Sequence, residues 1–118
     1  MATLEQLAQA ALGGEALALR GLAQDWLAEN PNFACVPRPR SNDPMVLAVA
    51  AALVEMFADR RGETGPDWAI AITQAPEPVY LLREAARMRR LRELCRDHAP
   101  PALRRRGIYA PPDFLVFV

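Results

Sequence analysis

The chain has no lysine, a single histidine (His98) and only two cysteines, Cys35 and Cys95. Each shortage removes a class of chemistry. Without lysine there is no P-loop, so Gly13-Gly14 reads as a helix break rather than a phosphate cradle. One histidine and two distant thiols offer neither the converging ligands of a zinc site nor a disulfide framework, and both cysteines are expected to be reduced. His98 follows Asp97 near an expected helix end, where an imidazolium suits the carbonyl dipoles, and no nucleophile accompanies it. Asp25 and Glu29 are spaced i, i+4 on a solvated helix face. No catalytic residue, cofactor or metal ligand is therefore expected. No uncharged apolar run approaches the roughly 20 residues that span a bilayer. The stretch from Met1 to Gln6 also lacks the basic and apolar regions of an export signal. These absences lead to an expectation of no membrane partner and a cytoplasmic location.

What is present suits one domain. The 118 residues, 52% of them hydrophobic, suffice for a core without metals or disulfides, and residues 1–118 read as a single helical domain with a docking tail at 107–118. Thr3 and Gln6 have the form of a capping box, opening a helix that ends at Gly13-Gly14. Leu19, Leu22, Ala23, Trp26 and Leu27 follow helical spacing up to Asn30-Pro31. A Pro/Arg loop follows, and Asp43-Pro44 caps a third helix to about Arg61, with only Glu55 charged before Asp59, Arg60 and Arg61 at its end and Gly62 as its stop. Trp68, Ile70 and Ile72 alternate at period two, as a short strand would, although a helical turn packed on the core fits nearly as well. From Val79 the set Leu81, Leu82, Ala85, Met88, Leu91, Leu94, Cys95 predicts helix up to His98, either unbroken or as two helices joined near Arg89. The expected architecture is mainly α, a small bundle of four to five helices with room for one short strand or hairpin.

Charge is unevenly spread although the net charge is zero. Residues 1–59 hold seven acids against three arginines, and residues 60–118 hold eleven arginines against seven acids. In residues 83–106 nine arginines face only Glu84, Glu93 and Asp97. If the segment is one helix, Arg83, Arg87 and Arg90 share a face while Arg89, Arg92 and Arg96 share another. A recognition helix would carry Asn, Gln, Ser or Thr near its start to read bases, and this one has none. An acidic protein partner, or the chain's own acidic N-terminal half, is a better fit for the cluster than nucleic acid, and a merely solvated face is the remaining alternative. The second unusual feature is the tail Phe114-Leu115-Val116-Phe117-Val118, which must either dock on this domain's own core or be donated to a partner. Joined as one interface, the two features nominate Arg83, Arg87, Arg90, Arg104, Arg105 and Arg106 as the charged rim and Phe114 and Phe117 as apolar anchors.

The runs Pro76-Glu77-Pro78-Val79-Tyr80-Leu81-Leu82, Leu91-Arg92-Glu93-Leu94-Cys95 and Pro101 through Leu115 resemble the end of a set of small uncharacterised bacterial proteins. Some of these are similar to proteins encoded beside nucleotidyltransferase-type toxin genes. The resemblance covers about a third of the chain, includes no catalytic motif, and implies an antitoxin or partner subunit. The functional expectation is a non-enzymatic interaction protein, an antitoxin-like partner that occludes a toxin enzyme, with a nucleic-acid-binding regulator using residues 83–106 as the alternative. An acidic or hydrophobic protein is the expected partner, and self-association stays open.

Overall fold

The computed structural model describes residues 2–116. The first helix, α1 (Leu4–Leu12), begins at the capping box read from the sequence, with the Gln6 amide donating to Thr3 Oγ1 and the Thr3 amide to Gln6 Oε1. It ends in a Schellman turn, in which the Glu15 amide donates to the Ala10 carbonyl and Gly14 takes φ +68°. Helix α2 (Ala16–Glu29) returns along α1, and a single 3₁₀ turn, Phe33–Cys35, follows it. Helix α3 (Pro44–Arg60) starts with Asp43 accepting the Met45 amide at 2.9 Å. It closes at Gly62, φ +68°, in a second Schellman turn.

Every side chain of α3 from Val46 to Ala58 is buried, including Glu55. Five of them are alanines, which let α1 on one side and the short helices α4 (Asp67–Ala71) and α6 (Pro101–Arg104) on the other approach closely. Trp26 carries the far end of the core, its ring 6.0 Å from both the Phe33 and Phe57 rings. The expectation of a mainly helical protein holds: six α-helices are present among the described residues, two of them of only one turn or so, together with one pair of two-residue strands.

One local reading resolves to its second alternative and another differs from the structure. The alternating Trp68–Ile72 segment is the helical turn α4, anchored by the Trp68 indole donating to the Val36 carbonyl at 2.8 Å. The helix expected from Val79 does not start there. Val79–Tyr80 is a strand, β1, paired in parallel with β2 (Ile108–Tyr109), the Val79 amide donating to Gly107 and the Leu81 amide to Tyr109. A 3₁₀ turn at Arg83–Ala86 then precedes α5 (Arg89–His98). The cause is tertiary: residues 107–109 satisfy the backbone of 79–81, and a β-branched and aromatic pair suits that use. No hairpin forms, because the strands run parallel.

Glu55 is the one charge on the buried length of α3, and an unpaired buried carboxylate is very costly. Its partner is Arg106, whose exposure is 1%. The Arg106 guanidinium donates to Glu55 Oε1 and Ala69 O through Nη2, to Ala102 O through Nη1 and to Ile72 O through Nε. The second carboxylate oxygen of Glu55 takes Arg105. Four donor bonds thus tie α3, the end of α4 and α6 to a single side chain, and no buried side-chain nitrogen or oxygen among the described residues lacks a partner. Gly65 lies against Glu55, where an added Cβ would come within 3.1 Å of its side chain.

Removing Arg106 leaves the buried Glu55 carboxylate with only the half-exposed Arg105 and takes a donor from three backbone carbonyls. Arg106→Ala is expected to destabilise by about 3–5 kcal/mol in urea unfolding, against well under about 1 kcal/mol for the exposed Arg89→Ala. Equal small effects from the two substitutions would show that the guanidinium does not hold the three helices together.

Candidate functional site

Helix α5 is built of good helix formers, and Pro100 and Pro101 end it. It packs mainly on the 3₁₀ turn before it, away from the principal core, with Cys95 and Ala85 buried. Leu91 is half-buried on the same side. The outer surface is partly self-neutralised. Arg89 pairs with Glu93 at 3.2 Å and Arg96 with Asp97 at 3.0 Å, both in solvent, where such pairs add little stability. The hydrogen bond from Arg96 holds the Asp97 carboxyl below the usual carboxylate range. Arg104 donates to the Asp97 carbonyl at 2.8 Å, satisfying a backbone acceptor that the helix end leaves open.

The nominated residues do not form one face. Arg106, expected on the charged rim, is buried against Glu55 and unavailable to any partner, and Arg105 shares that carboxylate while remaining half exposed. The reason is the lone charge of α3, which draws both side chains inward. Arg83 leaves the expected Arg83/Arg87/Arg90 stripe because its segment is a 3₁₀ turn. It lies across the α1–α2 junction and donates to the Gly13 carbonyl, and a side chain at Gly14 would run into it. Arg104 serves the end of α5. Arg87 and Arg90 stay exposed with no partner among the described residues, and Arg92 joins them.

These free cations are interleaved with exposed apolar side chains. Met88 is 56% and Leu94 40% exposed. Helical spacing puts Arg90 and Leu94 on one flank of the buried Leu91–Cys95 line, and Met88 and Arg92 on the other. The sequence reading missed Met88 and Leu94 because their apolar character at helical spacing is also the signature of core.

Of the tail's described residues, Phe114 and Leu115 dock on this domain, while Val116 is exposed. Phe114 and Leu115 are half-buried against the core, the Phe114 amide donating to Pro111 O at 3.0 Å. Arg60 donates to Leu115 O at 3.2 Å, and Leu115 has φ +53°. Phe114 is therefore committed to this domain's packing rather than free to anchor a partner. Phe117 lies outside the described residues.

Elsewhere the surface is shallow. A groove of about 710 Å³ lies between the start of α1, the end of α2 and the Pro37–Arg40 loop, with Arg38, Arg40, Glu5 and Glu29 all among its lining residues. His98 is exposed, and among the described residues no three His, Cys, Asp or Glu side chains converge as metal ligands would. No helix among the described residues is long and apolar enough to cross a membrane.

Two expectations follow. Burial pushes the Cys95 thiol above its usual pKa while Cys35 is exposed, so Cys95 should label at least about tenfold more slowly with a thiol reagent in the native protein. Comparable rates would mean that α5 detaches readily. Phe114→Ala should lower stability by about 1–3 kcal/mol, and an unchanged melting temperature would show the tail to be only loosely docked. No protein-family model, curated protein or solved structure matches the chain, so its own residues carry the functional argument.

Proposed function

We propose that this is a non-enzymatic interaction protein that binds an acidic surface of a protein partner through the flanks of α5. The occlusion of a toxin enzyme by an antitoxin-like partner is the form that the resemblance of the C-terminal third implies. One observation carries the reading: Arg87, Arg90 and Arg92 have no internal partner, and the apolar side chains between and beyond them, Met88 and Leu94, are left in water. Interfaces combine desolvated apolar anchors with a charged rim, and α5 together with the two residues before it offers both. The anchors in this reading are Met88 and Leu94, with Phe114 engaged in the core. A cytoplasmic setting accords with two free thiols.

The apolar component favours a protein over nucleic acid, whose binding would rest on phosphate contacts alone. The test uses the protein that co-purifies with the untagged chain at native expression, purified and titrated against variants. Leu94→Asp is expected to weaken binding at least about tenfold, mainly by faster dissociation. Replacing Arg87, Arg90 and Arg92 together by Ala should slow association several-fold, most at low salt. Indifference to Leu94→Asp, with affinity falling steeply and linearly in log salt for RNA or DNA, would transfer the surface to nucleic acid and overturn the proposal.

A further inference from the structure

A cleft of about 480 Å³ lies where α3 ends, lined by Leu27 of α2, Phe57, Arg60 and Arg61 of α3, and Leu115 and Val116 of the tail. We infer that it binds a small amphiphilic carboxylate, an acyl or aryl stem ending in a carboxylate group. The size falls within the range of small-molecule pockets, and the walls are apolar apart from two guanidiniums.

Both cations are held in position before any ligand arrives. Arg60 is fixed by its bond to the Leu115 carbonyl, and the Arg61 guanidinium carbon sits 4.7 Å over the Phe33 ring. A guanidinium has five N–H donors; among the described residues Arg60 uses one, on the Leu115 carbonyl, and Arg61 uses none. Donors therefore remain for a planar anion, which arginine receives in two-pronged fashion. Among the described residues no carboxylate lines the cleft. Burial disfavours the charge on Arg60, and Asp113 only partly offsets this, so an anion in the cleft would relieve it. The wall itself is held under tension: Leu115 occupies the left-handed region, which a side chain of its kind rarely adopts, and the Arg60 bond closes over it. By contrast, the larger groove beside Arg38 and Arg40 is lined by Glu5 and Glu29 as well, a poor site for an anion. The cleft shares no residue with the α5 surface, so its fate is independent of the proposed interaction.

Calorimetric titration of the full chain with sodium 4-phenylbutyrate tests this, with 4-phenylbutan-1-ol as the uncharged counterpart. One-site saturable binding of the carboxylate is expected in the millimolar range, with the alcohol at least about tenfold weaker. Arg61→Gln should cost about tenfold in carboxylate affinity while leaving the melting temperature nearly unchanged, since its side chain is exposed. No saturable binding, equal binding of acid and alcohol, or full affinity in Arg61→Gln would each overturn the assignment. Two further measurements decide the occupant. An acetyl-Ala-Ala-Phe peptide with a free carboxylate that binds more tightly than phenylbutyrate would assign the cleft to a protein chain end instead. A gain of carboxylate affinity in Phe117→Ala would assign it to the segment of this chain that follows Val116. Weaker binding of the peptide and unchanged affinity in Phe117→Ala both support the free amphiphile.

Discussion

A single carboxylate on the buried length of α3 sets the terms for the rest of the fold. Glu55 is the one charge on a buried, otherwise apolar stretch of helix, where a carboxylate without a partner would be very costly. Arg106 supplies that partner, and its three further bonds run to the carbonyls of Ala69, Ile72 and Ala102, in or next to the short helices α4 and α6. Its backbone is used as well, the Ala75 amide donating to the Arg106 carbonyl at 2.9 Å. The residue therefore anchors α4, α6 and the start of the parallel strand pair in one place. Pairing of this kind contributes more to the choice of one arrangement than to net stability, since an apolar pair of similar volume can stabilise as much.

The same constraint changes what the arginine count means. Nine arginines in residues 83–106 suggest a strongly basic surface. Arg106 and Arg105 are drawn to Glu55, Arg83 to the α1–α2 turn and Arg104 to the end of α5, while Arg89 and Arg96 pair with neighbouring acids. The cations left for another molecule are few, and they stand next to exposed Met88 and Leu94. Counting charge along a chain overstates a basic surface whenever helix ends and buried acids nearby consume guanidinium donors.

The tail illustrates how packing and strain divide a short apolar run. Phe114 and Leu115 return to the core, and the turn that brings them there needs a left-handed backbone at a leucine, with Arg60 bonded over it. Val116 is left on the rim of a cleft that α2 and α3 complete. An apolar chain end thus serves as packing over part of its length and as the wall of a concavity beyond it.

The sequence by itself determined the local structure wherever short-range chemistry decides: the Thr3/Gln6 capping box, the Asp43-Pro44 start of α3, the left-handed stop at Gly62, and burial of Trp26, Phe57 and Cys95. These depend on residues within a turn or two of one another. Glu55 was legible as an isolated charge in an apolar helix, but its partner was not, because many arginines could pair with it and only the path of the chain selects one 51 residues away. Val79–Tyr80 has helical company in sequence and a strand partner only in space. Arg83 similarly faces a helix stripe on paper and a glycine turn 70 residues away in the fold. Tertiary structure alone decided these, since a long-range hydrogen bond to a buried or otherwise unsatisfied group outweighs the tenths of a kilocalorie by which local propensity separates helix from strand or one rotamer from another.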